Sequence, residues 1–509
     1  MLAITKSFGL DGVTGYPIDI EVDINNGIPQ LDIVGLAGTS IKESKERVRS
    51  AIKNSGYLYP TKKITINLAP ADTKKDTPIY DLPIAIGILQ CDGILKKQAS
   101  KDYIMFGELS LDGSLRKIKG VLPLLISAVQ QGYKKFIVPK ENAKEASFVE
   151  GIEVYAIDSL RNVCALLSGA ECEKVEFSHF ENKTANTLSG FDFKDVKGQV
   201  VAKRALEIAV SGGHNAIMVG PPGSGKTMLA KCVPSIMPDM TFEEAIEVTK
   251  LHSIAGILDS EEGIVKCRPF RSPHHTATIP ALVGGGAYSK PGEVSLAHNG
   301  VLFLDETPEY QRKALETLRQ PLEDKVITIA RAQRTVTYPA NFMLIASMNP
   351  CPCGNYGSKT KQCTCTPAQI RSYHQKLSGP LMDRIDIHID VDSVSFSEFR
   401  SDVLEESSAV IKERVNRARK IQLERYKNDA IYTNADMTNP MIKKYCKIDS
   451  DSEKMLEMAF KRLNLSARAT NRILKVARTI ADMEGCKDIA KKHLAEAIQY
   501  RSLDRKYFE

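Results

Sequence analysis

The chain's 509 residues suffice for about three domains at roughly 150 residues each. A composition that is 43% hydrophobic and 26% charged excludes a disordered or fibrous chain, and each domain can bury a core without disulfide staples. The net charge of +7 permits a polyanionic partner without requiring one, and the lack of any apolar run of about 18 residues argues against a membrane-spanning helix. The opening stretch, MLAITKSFGLDG, has no apolar signal region, so the expected location is the cytoplasm and the 11 cysteines are expected to be mostly reduced.

Residues 1–172 read as an α+β domain. Alternating runs at 18–24 (IDIEVDI) and 63–68 (KITINL) predict half-buried strands, and 40–54 predicts a helix with a charged outer face. A second helix follows Asp81, Asp112-Gly113 marks a hairpin turn, 122–131 is helical, and 135–139 is expected as the final strand. The segments INLAPADTKKD (66–76) and GELSLDGSLRKIKGVLPLLISA (107–128) make this region similar to the proteolytic domain of Lon-type proteases. That chemistry needs a serine nucleophile and a lysine base. No serine occurs between Gly56 and Ala99, and Leu122 stands at the lysine's position, so the domain is expected to be non-catalytic and to serve assembly or substrate holding rather than proteolysis.

A polar linker, 173–190, leads to the second domain, 191–395. Here the apolar run 216–219 precedes G-x-x-x-x-G-K-T and a helix start follows it, the strand–loop–helix order that a phosphate loop requires. Gly220, Pro221, Pro222, Gly223, Ser224, Gly225, Lys226, Thr227 and Met228 are the candidate ATP-binding residues. Backbone N–H groups would face the phosphates, Lys226 the β- and γ-phosphates, and the Thr227 hydroxyl Mg²⁺. The run VLFLDE (301–306) reads as a buried strand that delivers Asp305, which would hold Mg²⁺ through water, and Glu306, which would polarise the attacking water. The next strand, 342–346, ends in Ser347-Met348-Asn349, and Asn349 is expected to orient that water.

Two insertions follow from the pattern. The first, 267–286, carries Arg268, Arg271, His274 and His275; adjacent histidines seldom converge on one metal ion, and a pore or subunit-contact loop is the better reading. The second, 325–338, reads as a hairpin about Ala332-Gln333 with Lys325, Arg331 and Arg334 near its tip or sides, suited to DNA phosphates or simply to water. Cys351, Cys353, Cys363 and Cys365 give C-x-C, nine residues, C-x-C. Four thiolates could hold a structural Zn²⁺, although C-x₂-C is the commoner spacing and reduced surface thiols are the alternative. From Val403 to the end the pattern is helical, with helices expected at 406–428, 438–446, 452–463, 466–484 and 488–501. The first of these is strongly basic, which usually means a solvated face and only secondarily a nucleic-acid surface.

The motifs FRSPHHT (270–276), GEVSLAHNGVLFLDE (292–306), NPCPCG (349–354), GPLMDRIDIHIDV (379–391) and RILKVARTIADM (472–483) make nearly the whole chain similar to the ComM/YifB family of magnesium-chelatase-like AAA+ ATPases. The resemblance implies a Lon-like α+β domain, a P-loop AAA+ α/β domain and an α-helical lid, 396–509. It implies that Gln199, in Val196-Lys197-Gly198-Gln199, lies in the loop beside adenine, although a ligand-free helix start is the plainer reading of that stretch. It also implies that Arg384 is an arginine finger for the neighbouring subunit, and that Arg468, or Arg472 one turn on, reaches the γ-phosphate. A ring is implied, expected as a hexamer, that translocates on single-stranded or branched DNA without sequence preference. Members studied as ComM move branch points during natural transformation. A chelatase motor or a protein-remodelling ATPase are the rival readings.

Overall fold

The structure is a computed structural model that describes every residue except 1, 37, 72, 74, 182–189, 287–288, 332–333, 358–360, 394–404, 430, 464 and 502–509. Residues 182–189 of the expected linker, the lid's first residues and the hairpin turn at Ala332-Gln333 therefore lie outside the described residues. The chain forms two units: Met1–Glu181 together with Phe242–Val265, and Asn182–Thr241 together with Lys266–Glu509. No described helix is long and apolar enough to cross a membrane.

The first unit is built on a seven-stranded sheet in the order Gln30–Val34, Lys63–Ala69, Thr14–Asn25, Leu2–Asp11, Tyr103–Met105, Lys135–Pro139, Glu153–Ile157. Leu2–Asp11 and Thr14–Asn25 form an antiparallel hairpin at its centre. In the latter, Ile18, Ile20, Val22 and Ile24 are buried, the period-two pattern that sends one face of a strand to the core. Helix Asp81–Cys91 is buried along its whole length and packs on this hairpin. Its first residue, Asp81, is buried with the carboxylate held by Arg47 Nε at 2.7 Å. Lys135–Pro139 is not the final strand: Glu153–Ile157 pairs parallel beside it, and helix Leu160–Leu167 follows. This strand is short and sits at the sheet edge, where only pairing with its neighbour identifies it.

Phe242–Ala255, a helix inside the stretch read from sequence as the second domain, belongs to the first unit and packs on helix Val121–Gln130. The Ser253 hydroxyl accepts the Gly120 N–H at 2.9 Å and donates to the buried Glu145 carboxylate. Glu145 also accepts the Leu122 N–H at 2.9 Å and an Asn142 amide N–H at 3.2 Å. Leu122 itself is a fully buried core side chain, so the place where a Lon-type base would stand is apolar.

The second unit holds a five-stranded parallel sheet in the order Phe270–Arg271, Val301–Leu304, Met343–Met348, Ala216–Val219, Ile387–Asp390. Val301–Leu304, Met343–Met348 and Ala216–Val219 are buried at every position, as expected of a parallel sheet covered on both faces. Helices Ser408–Arg425 and Ala467–Met483 of the C-terminal region share a core with helix Val200–Gly212. Their residues Ile411, Val415, Ile473, Val476 and Ile480 supply the apolar stripes.

Candidate nucleotide site and thiol cluster

Strand order explains why distant motifs meet. Met343–Met348 lies between Val301–Leu304 and Ala216–Val219, so the carboxyl ends of three adjacent strands deliver Asp305 and Glu306, Ser347 to Asn349, and the phosphate loop to one edge. Parallel α/β sheets bind ligands at this edge. The loop's backbone needs its glycines. Gly223 and Gly225 have φ of 76° and 89°, the left-handed region where a side chain is strained. A Cβ at Gly220 would lie 2.2 Å from the Val391 carbonyl oxygen. Gly225 caps helix Lys226–Ile236, whose N-terminal N–H groups and dipole favour an anion.

Lys226 is buried and donates to the carbonyls of Gly220 at 2.7 Å and Pro221 at 2.8 Å, with Asn349 Oδ1 at 3.3 Å. Burial lowers its pKa to about 8, against the opposing pull of Asp305 and Glu306. Thr227 Oγ1 donates to Asp305 Oδ2 at 2.9 Å. A hydroxyl and a carboxylate side by side form a hard-oxygen pair that fits Mg²⁺ with the remaining positions taken by water and phosphate oxygens. Glu306 is exposed beside them with φ of 49°, a left-handed conformation for a residue with a side chain. Strain of this kind concentrates at functional sites. Met228 is half-buried against the core of the unit and anchors the first turn of the helix.

Ser347 is the residue that sequence reasoning missed. Its hydroxyl donates to Asp305 Oδ1 and accepts the Glu306 N–H at 3.2 Å, so it holds both carboxylate residues in place. It stands near the end of strand Met343–Met348, two residues before Asn349, and no local sequence signal marks its partners. Asn349, by contrast, meets Lys226.

Gln199, with φ of 57°, donates from its amide to the carbonyls of Ser224 at 3.3 Å and Asp392 at 2.6 Å. It therefore touches the phosphate loop directly. Glu405 accepts the Gly198 N–H and the Lys203 ammonium, each at 2.8 Å, and so fixes the 196–199 loop, not the phosphate loop, from a distant part of the chain.

The remaining candidates lie elsewhere. Arg384 is tied within its own chain: its guanidinium pairs with Glu323 and donates to the Pro380 carbonyl at 2.7 Å. The sequence suggested no such intrachain partner. Arg468 is exposed, and among the described residues no hydrogen bond or ion pair joins it to the phosphate loop. Arg472 pairs with the buried Asp386, which also meets His214. Burial works against ionisation of Asp386, yet Arg472 and His214 hold its carboxyl well below the usual range. Arg472 is thereby committed to joining the C-terminal helix to strand Ile387–Asp390.

The second insertion is a hairpin of Val326–Arg331 and Arg334–Pro339, with Arg331 opposite Arg334 at the turn. Lys325 is not at the tip or on the sides. It caps the preceding helix at the hairpin's base, and its ammonium lies 3.5 Å from Asp436. The first insertion is also internally bonded: Arg271 forms a two-pronged pair with Glu293 at 2.6 and 2.7 Å, and Arg268 donates to the carbonyls of Pro238 and Asn299. The rings of His274 and His275 lie 4.1 Å apart.

The four clustered thiols converge. Cys351 Sγ lies 3.3 Å from Cys353 Sγ and 3.7 Å from Cys363 Sγ, and Cys353 and Cys363 are 3.6 Å apart. Cys365 completes a set whose sulfurs all lie within 4.8 Å of one another. Backbone N–H groups of Asn355 and Thr364 lower the Cys353 pKa to about 5, whereas Cys363 is pushed up to about 12 despite the Cys365 N–H, and burial raises Cys365.

Comparison with known proteins agrees with this anatomy. Residues 192–399 match the family described as magnesium chelatase, subunit ChlI; residues 20–142 match subunit ChlI of Mg-chelatase; and 405–501 match its C-terminal region. The chain is 44% identical to uncharacterized protein YifB of Escherichia coli over 505 residues, covering 99% of this chain and 98% of that protein. It is also 44% identical to competence protein ComM of Haemophilus influenzae over 512 residues, again 99% and 98%. A shorter match, 29% identical over 167 residues and 30% of each chain, is to Lon protease 2 of Bacillus subtilis.

Proposed function

Because the chain belongs to the ComM/YifB family of magnesium-chelatase-like AAA+ ATPases, with a Lon-like first domain lacking the protease dyad, we propose that it is an ATP-hydrolysing, ring-forming DNA translocase. We read the ring as a cytoplasmic hexamer that moves branch points during recombination, in transformation or repair, and not as a protease. The observation that supports hydrolysis best is the convergence of Lys226, Thr227, Asp305, Ser347 and Glu306 at one sheet edge. DNA as the substrate rests on the likeness to a competence protein and on the arginine pair flanking the hairpin turn. Arg331 and Arg334 would contact backbone phosphates, which makes binding salt-dependent and indifferent to sequence.

In this reading the phosphate-loop N–H groups and the Lys226 ammonium hold the β- and γ-phosphates, and Gln199 borders the adenine. Mg²⁺, held by Thr227 and through water by Asp305, would neutralise charge on the phosphoryl oxygens. Water attacks the γ-phosphorus, Glu306 takes its proton, and the bond to the bridging oxygen breaks with its electron pair leaving on ADP. Asn349 orients the water, Arg384 stabilises the transferring group in a neighbouring subunit, and Arg468 reports the γ-phosphate to the lid. Cys351, Cys353, Cys363 and Cys365 hold a structural Zn²⁺.

The deciding experiment is ATP turnover by the purified protein alone, with single-stranded DNA and with a branched duplex, beside Glu306→Gln. Stimulation by DNA that the variant loses supports the translocase. Turnover blind to every DNA would overturn it, and stimulation by a protein client or by a metal–tetrapyrrole pair would point to the remodelling or chelatase readings.

A further inference from the structure

We propose that the ion held by Cys351, Cys353, Cys363 and Cys365 is a brace for the nucleotide site, which couples ATP handling to the metal content and redox state of these thiols. The proposal deepens the ATPase reading and rests on it. Four thiolates around one Zn²⁺ at about 2.3 Å define a tetrahedron with edges of roughly 3.8 Å. The observed sulfur separations of 3.3, 3.6 and 3.7 Å approach that edge, and a disulfide would require about 2.05 Å. The Tyr356 N–H donates to Cys351 Sγ at 3.3 Å, a further contact that holds the loop around the sulfurs. The chemical class is therefore a soft or borderline divalent cation with every coordination position filled by the protein.

The position of the cluster gives it a second consequence. Cys351 follows Asn349 by two residues, and the intervening Pro350 carbonyl accepts a hydrogen bond from His374 Nε2 at 2.9 Å. Gly354 closes a turn through its N–H to the Cys351 carbonyl at 2.9 Å, with φ of 79°. A Cβ there would lie 2.4 Å from Cδ of Pro222, a residue of the phosphate loop. The thiol loop thus starts at the side chain that meets Lys226 and touches the loop that Lys226 closes. An ion that fixes the four sulfurs fixes both contacts. Its loss, or oxidation of the thiols in pairs to disulfides by a two-electron oxidant such as hydrogen peroxide, which is reduced to water, would release them.

The test begins with metal content of the full-length protein purified under reducing conditions. About one zinc per chain is expected, falling to near zero in Cys363→Ser/Cys365→Ser. Affinity for a fluorescent ATP analogue and ATP turnover are then measured before and after stripping the wild-type protein with a mercurial and chelator. A loss of roughly 10- to 100-fold, restored by zinc, is expected from displaced positioning groups. Gly354→Ala should keep its zinc yet show a loss in the same direction, which separates the brace from a simple folding defect. Absence of bound metal would overturn the site. Bound metal whose removal leaves affinity and turnover unchanged would overturn the brace. Absent turnover in the loaded protein would overturn the hydrolase reading alone, because zinc content and nucleotide affinity decide the brace without it.

Discussion

Lys226 carries a chemical signature that its motif alone does not announce. A free lysine titrates at about 10.4, and burial lowers this one to about 8 even though Asp305 and Glu306 favour its charge. The sign of the consequence follows. At about pH 8.5 the free protein holds Lys226 mostly neutral, a bound polyphosphate restores the ammonium, and binding takes up roughly three-quarters of a proton. At about pH 7 the lysine is charged before and after, and the uptake fades. Calorimetry of nucleotide binding in two buffers of different ionisation heat measures the uptake directly; equal uptake at both pH values would show that Lys226 is not the group responsible. The letters of the phosphate loop made Lys226 and Thr227 legible, and the apolar run VLFLDE made Asp305 legible, because their chemistry requires those residue types in that order. Ser347 was not legible as their holder, since a serine at a strand end has no partner until strand order places it beside Val301–Leu304.

Elements were legible where periodicity and caps were local. The helix expected at 466–484 is observed as Ala467–Met483, with the Ser466 side chain accepting the Ala469 N–H as its cap. Strand Glu153–Ile157 escaped because five residues at a sheet edge carry too little pattern. Helix Phe242–Ala255 escaped in a different way. Its sequence is weakly amphipathic, and its membership of the first unit is a matter of non-local contacts. Only residues 237–241 separate it from the phosphate-loop helix Lys226–Ile236, so the chain leaves the nucleotide site and enters the first unit within one short link. The anchor there is Ser253, which serves Gly120 and Glu145 at once. Ser253→Ala leaves the Gly120 N–H unsatisfied and removes a donor from a carboxyl whose pKa burial has already raised. Denaturant unfolding should show a loss of about 1–3 kcal/mol for this variant. An unchanged midpoint with unchanged slope would mean that water replaces the hydroxyl and that the helix is held by its apolar contacts alone.

At the scale of the whole molecule, the question is where Arg384 acts. Within one chain its guanidinium is occupied by Glu323 and the Pro380 carbonyl, and its buried Nε has no hydrogen-bond partner among the described residues. Glu323 is well exposed while the Arg384 side chain is only 13% exposed, so solvent reaches the pair from the carboxylate side, and the proposed finger role requires Arg384 to leave this partner for a phosphate. A finger used in this way makes each active site a composite: Glu306 from one protomer and Arg384 from the next. Composite sites can be tested by mixing. Arg384→Ala chains alone should bind nucleotide and fail to hydrolyse it, and Glu306→Gln chains alone should do the same, with removal of an arginine finger worth about 10³- to 10⁵-fold in turnover. When the two variants assemble together, an interface that takes Glu306 from the Arg384→Ala chain and Arg384 from the Glu306→Gln chain is intact, and turnover should reappear in the mixture. An arginine that serves its own chain's site leaves every interface broken, and the mixture stays silent. The same measurement tests assembly, because recovery depends on subunits sharing a ring and should fall on dilution below the concentration at which the ring holds together.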